Sequence, residues 1–112
     1  MNAHNIYAYR NTEQAQKAFY NACERYNTSK ENKQLIKQHI EDHILDKSLK
    51  EETKRKYLYD WAVIMQWIPQ SLSNISKQEI KDVLRGIKEC KYSERSKETY
   101  FTKFKLFYKW FK

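Results

Sequence analysis

Two eight-residue stretches concentrate the side chains best suited to chemistry: KEETKRKY at 50–57 and SERSKETY at 93–100. Each mixes hydroxyls with cations and closes on a tyrosine, Thr53 standing four residues before Tyr57 and Ser96 four before Tyr100. On a helix that spacing sets hydroxyl and phenol on one face a turn apart, beside the N–H groups that a helix start leaves unpaired. Phosphate oxygens suit such a place, because they accept from N–H and O–H donors and are drawn by positive charge. Lys50, Lys54, Arg55, Arg95, Lys97 and Lys103 supply that charge, and each stretch leads into a helix ending in tryptophan, Trp67 or Trp110.

A reaction is harder to assemble. None of the nine tyrosines falls in a pattern that supplies a nucleophile, a base and an orienting group. His39 and His43 stand four apart with Glu41, Asp42 and Asp46 nearby, but two histidines do not close a metal site and the chain has no HExxH. A partly exposed helix face, or core imidazoles with satisfied hydrogen bonds, is the expected role of the pair. The chain is therefore expected to be no enzyme by itself, with no cofactor and no metal.

The elements that must position the two stretches follow from composition and period. A chain of 112 residues makes one domain with one modest core. With one Gly and one Pro against many strong helix formers, the fold class is expected to be all-α: a small four-helix bundle with an additional N-terminal helix. A net charge of +8 argues for phosphate polymers or anionic lipid as partners rather than neutral metabolites. Cys23 and Cys90 lie far apart, without CxxC spacing or a secretory leader, so reduced thiols in the cytoplasm are expected. The longest apolar run, AVIM at 62–65, falls far short of the roughly 20 residues that a membrane span needs.

Residues 1–11 lack a clean period and read as a loose leader docking by Tyr7 and Tyr9. Thr12 is the expected cap of a helix to about Asn27, its face running through Ala15, Ala18, Phe19, Ala22 and Tyr26. Residues 1–29 are set apart as an extension, and 30–112 as the main domain. Thr28 or Ser29 should cap a helix over 30–46, with Leu35, Ile36, His39, Ile40, His43 and Ile44 on one face. After a joint at 47–49, Tyr57, Trp61, Ile64 and Ile68 mark a helix over 50–68 that Pro69 stops. Ser76 and Glu79 form a capping-box pattern that opens a helix over 77–89, with Ile75 as the staple. Ser93 should cap the closing helix, where Tyr100, Phe104, Phe107 and Phe111 share a face opposite Lys105, Lys109 and Lys112. Such a stripe is expected to be core rather than membrane-facing, since the other amphipathic helices each need a partner.

Taken in order, the segments from Asn32 to Phe111 resemble the N-terminal core-binding domain of tyrosine recombinases, the integrase SAM-like domain of the phage integrase family. LIKQHIEDHIL matches its first helix, LKEETKRKYLYDWAVIMQWI its Ser/Thr-to-Tyr helix, ISKQEIKDVL its Ile-Thr-x-x-Asp-Ile segment, and YSERSKETYFTKFKLFYKWF its closing helix. The resemblance implies half of a C-shaped clamp on the core recombination site, with the helices at 50–68 and 93–111 facing the major groove of double-stranded DNA. It places Thr53, Lys54 and Tyr57 at the backbone on one helix, and Ser93, Arg95, Ser96, Lys97 and Lys103 at the start of the other. Lys50 or Glu51 stands where the family commonly has serine, and Ser96 where it has threonine. The resemblance further implies a catalytic domain in the same parent chain, self-association on DNA, and that this chain is a piece of a longer recombinase. Two other readings stay open: a helical protein-interaction module with a basic surface, and a stand-alone SAM-like DNA-binding accessory protein.

Overall fold

The computed structural model describes residues 3–46 and 50–111, with side chains from Thr12 to Ile44 and from Lys50 to Phe111. The fold is all-α: α1 (Ala3–Arg25), α2 (Lys30–Asp46), α3 (Glu51–Ile64) continued by a 3₁₀ turn (Met65–Trp67), α4 (Lys77–Glu89) and α5 (Glu94–Phe111). The expected joint at 47–49 and the docking of Tyr7 and Tyr9 lie outside the described residues.

Helix ends follow local chemistry. Asn27 adopts a left-handed φ of 52° and closes α1 in a Schellman pair, Thr28 N–H donating to Cys23 O at 2.8 Å and Asn27 N–H to Glu24 O at 3.2 Å. Ser29 caps α2 by accepting from Asn32 N–H at 3.1 Å. The capping box of α4 is complete: Glu79 N–H donates to Ser76 Oγ at 3.1 Å and Ser76 N–H to Glu79 Oε1 at 3.0 Å. Ser93 caps α5 by accepting from Ser96 N–H at 3.2 Å.

Two expected boundaries are corrected. Thr12 is not a cap, because nothing in residues 3–11 breaks a helix and α1 runs through it; its hydroxyl instead donates to Glu51 Oε2 at 3.4 Å. The α-helical part of α3 stops at Ile64 rather than near 68. Pro69 forces Ile68 into extended backbone (ψ 130°), so the last turn tightens to 3₁₀ first.

One core joins all five helices. Trp61, Phe19, Phe104, Phe107, Ile36, Ile40, Ile64 and Ile87 are essentially sealed from solvent. Residues 1–29 read in sequence as an extension, yet Ala15, Phe19, Ala22 and Cys23 of α1 are buried in the same cluster, and α1 packs most extensively along α3. The aromatic face of α5 is core, as its period implied. Both cysteines are free, Cys23 buried and Cys90 half-buried.

The single glycine has a packing role. A β-carbon at Gly86 would run into the Trp67 indole, coming 2.9 Å from Nε1, so this side of α4 must stay bare for the 3₁₀ turn to lie against it.

The long connection from α3 to α4 is held by one side chain. Asn32, buried to 1 % exposure, donates from Nδ2 to Pro69 O (2.9 Å) and Gln70 O (3.1 Å) and accepts Leu72 N–H on Oδ1 (2.9 Å). Leu72 is thereby inserted into the core, and the Ser73 hydroxyl bonds the Glu31 carboxylate beside it. Asn32→Ala strands a buried N–H and removes both donors, so urea denaturation should show a loss of about 2–3 kcal/mol. A loss under about 0.5 kcal/mol would mean that water replaces these bonds.

Candidate nucleic-acid interface

The α5 helix places Arg95, Thr99 and Lys103 at intervals of four, a straight row along one flank. Facing it across a shallow groove, α3 presents Lys56 and Asp60, also four apart, with Ser96 and Tyr100 in the floor. This is where the two hydroxyl-and-cation stretches meet, and it brings together residues some 40 positions apart.

Lys103 braces the groove from within. Its ammonium sits 3.2 Å from Asp60 Oδ2 and 4.3 Å above the Tyr57 ring, with only 16 % of the side chain exposed. Burial pushes the Asp60 carboxyl above its ordinary range, opposed by the charges of Lys103 and Lys56. Lys103 was expected to offer its charge to a phosphate; here it is largely neutralised and couples α3 to α5. Arg95 and Lys56 are the exposed cations of the groove.

The hydroxyls are also engaged. Ser93 Oγ, besides capping α5, donates to Ser96 Oγ at 3.1 Å. Thr99 Oγ1 donates back to Arg95 O at 3.1 Å. Tyr57, expected beside the phosphates, is a core residue at 6 % exposure, as is Tyr100 at 7 %, whose place in the aromatic stripe implied it. Tyr57 stacks near His43 (5.1 Å) and Tyr100 near Trp67 and Tyr92 (6.2 and 5.4 Å). Burial raises both phenol pKa values, helped by Asp60, so neither loses its proton readily. The repeated Thr/Ser-to-Tyr spacing thus builds packing rather than two matching ligand contacts.

The remaining expected residues do not line this groove. Lys50 is the exposed cap residue of α3, without a side-chain cap bond. Thr53 and Arg55 are half-buried in the first turns, and Lys54 turns toward α1 and α2, near Tyr20, Lys37 and Glu41. Glu51 and Glu52 occupy the first turn of α3, which opposes an anion there. Lys97, 19 % exposed, pairs with Glu94 at 3.4 Å on the α4 side of α5. Lys56, Asp60 and Thr99 were missed from the sequence; their signal was the row of four-residue spacings that aligns with Arg95 and Lys103.

Among the described residues no three His, Cys, Asp or Glu side chains are placed so that they could hold a metal ion. His39 is neither exposed nor satisfied: it is 1 % exposed, ringed by Trp61, Phe107 and Trp110 at 6.2, 5.3 and 5.2 Å, and neither ring nitrogen has a hydrogen-bond partner among the described residues. Nearby, Trp110 Nε1 donates to Asp42 Oδ2 at 3.1 Å. No protein-family model, no curated protein and no solved structure matches this chain.

Burial, and secondarily the charge of His43, push the His39 pKa from 6.5 down to about 4, against the pull of Asp42. A histidine whose folded pKa lies below its unfolded value binds its proton more readily when unfolded. Its destabilising effect is absent above about pH 6.5 and grows as pH falls toward 4. His39→Phe should therefore flatten the stability profile between pH 6.5 and 4, and match or exceed the wild type at pH 7.5, as measured by urea denaturation. An unchanged profile would assign the acid sensitivity to other groups.

Proposed function

We propose that this chain is a DNA-binding domain of a tyrosine site-specific recombinase, gripping one side of double-stranded DNA at the core recombination site as half of a clamp. The observation that carries the reading is the α3–α5 groove, where Arg95 and Lys56 stand exposed beside a braced Lys103 on a chain of net charge +8. Paired helices with basic, hydroxyl-bearing flanks suit duplex phosphates, whose contacts position a protein without reading bases. The segment order from Asn32 to Phe111 supports the family, and the all-α bundle is compatible with it.

In this reading Arg95 and Lys56 contact the phosphates and Lys103 sets the spacing of the two helices. The strand-exchange chemistry belongs to a catalytic domain of the parent chain, and further copies meet this one on the DNA.

The test is anisotropy of a labelled random duplex of about 30 base pairs across a salt series. Log K should fall steeply with log salt, and Lys56→Ala and Arg95→Ala should each lower the slope by about one unit. Asp60→Asn, which removes the one acidic side chain lining the groove and releases Lys103, should tighten binding about threefold or more. A flat salt response, or three variants indistinguishable from wild type, would remove DNA from this groove.

A further inference from the structure

The opposite flank of α5 carries a second surface. Ile80 and Leu84 on α4, one turn apart, face Phe104 and Tyr108 on α5, also one turn apart, across an open groove with an almost wholly apolar lining. Phe104 is buried and the other three are half-buried, so the groove is concave, its apolar side chains forming a floor rather than projecting.

One wall is basic, and a second row of lysines lies beyond the other. Lys105 and Lys109 border the groove on α5. On α4, at 100° per residue, Lys77, Lys81 and Lys88 fall in one sector of roughly 40° next to Leu84, while Glu79 and Asp82 fall on the far flank. All five lysines are exposed, and α5 carries no acid after Glu98. Lys105 also lies over the Phe101 ring at 4.4 Å, which keeps it at the rim.

We propose that the α4–α5 groove docks an amphipathic helix of a partner protein, with apolar residues at i and i+4 seated on the floor and acidic residues on both flanks. The apolar floor asks for aliphatic side chains, which the phosphates of a nucleic acid do not provide. The two lysine rows ask for carboxylates on both sides of that apolar stripe, a pattern that a helix presents in one face. The concavity favours a rod-shaped ligand over a flat bilayer. This surface is separate from the Lys56–Arg95 groove and does not depend on the DNA reading.

The experiment titrates the full chain with a synthetic helix of about 16 residues, leucines at i, i+4 and i+7 and glutamates on both flanks, read by anisotropy and by methyl NMR. We expect saturable, salt-weakened binding with the largest shifts at Ile80 and Leu84. The double variant Lys105→Glu/Lys109→Glu, exposed and outside the core, should weaken it at least about tenfold. Leu84→Asp should abolish it, and Lys56→Ala/Arg95→Ala should leave it unchanged. Absence of saturable binding, indifference to the Lys105/Lys109 reversal, or loss in Lys56→Ala/Arg95→Ala instead would overturn the proposal. Recruitment to phosphatidylglycerol vesicles without peptide binding would also overturn it and identify the groove as a lipid contact.

Discussion

Trp61 lies where α2, α3 and α5 meet, and the arrangement of the molecule depends on that contact. Its indole is fully buried and meets the Phe107 ring edge-on at 5.5 Å. The closing helix bears a row of aromatics too large to be buried against small side chains, so it needs a broad apolar partner. Trp61 provides one from the middle of α3, and Phe19 of α1 is buried in the same core. Each such ring contributes about 2–3 kcal/mol by removal from water, with a smaller gain from edge-to-face geometry. Once α5 is seated on Trp61, the relative placement of Lys56, Asp60, Arg95 and Lys103 follows.

That placement separates the cations into two kinds. Lys103 and Lys97 are mostly buried and paired with carboxylates, so part of their charge is already answered within the protein. Lys56, Arg95, Lys105 and Lys109 remain exposed. They divide between the two flanks of α5: a polar groove against α3 and an apolar one against α4. A single helix thereby offers two chemically different faces, one suited to phosphate and the other to an acidic amphipathic segment.

The core also admits polar groups on different terms. Asn32 is buried but places its amide donors and its acceptor on the α3–α4 connection, so its desolvation is offset by three hydrogen bonds. His39 is buried among rings with neither nitrogen partnered among the described residues, and the Trp61 Nε1 beside it is in the same condition. Such sites are held by the packing around them rather than by their own bonds. They are where a change of protonation is felt most.

Sequence alone determined what depends on neighbours within a turn or two. Period and composition specified an all-α fold; Ser76 with Glu79, Ser29 and Ser93 marked three helix starts; Tyr100, Phe104 and Phe107 were legible as core. These rest on contacts three or four residues apart, which the chain must satisfy wherever it lies. Thr12 misled because a cap residue is also tolerated inside a helix, and nothing before it breaks one. Only the tertiary structure decided that Tyr57 is core, that Asn32 holds Leu72 forty positions away, and that Lys103 is answered by Asp60 rather than left for a ligand. The reason is physical: whether a cation or phenol is available depends on which helix closes over it. That is settled by packing between segments distant in the chain, not by the spacing along any one of them.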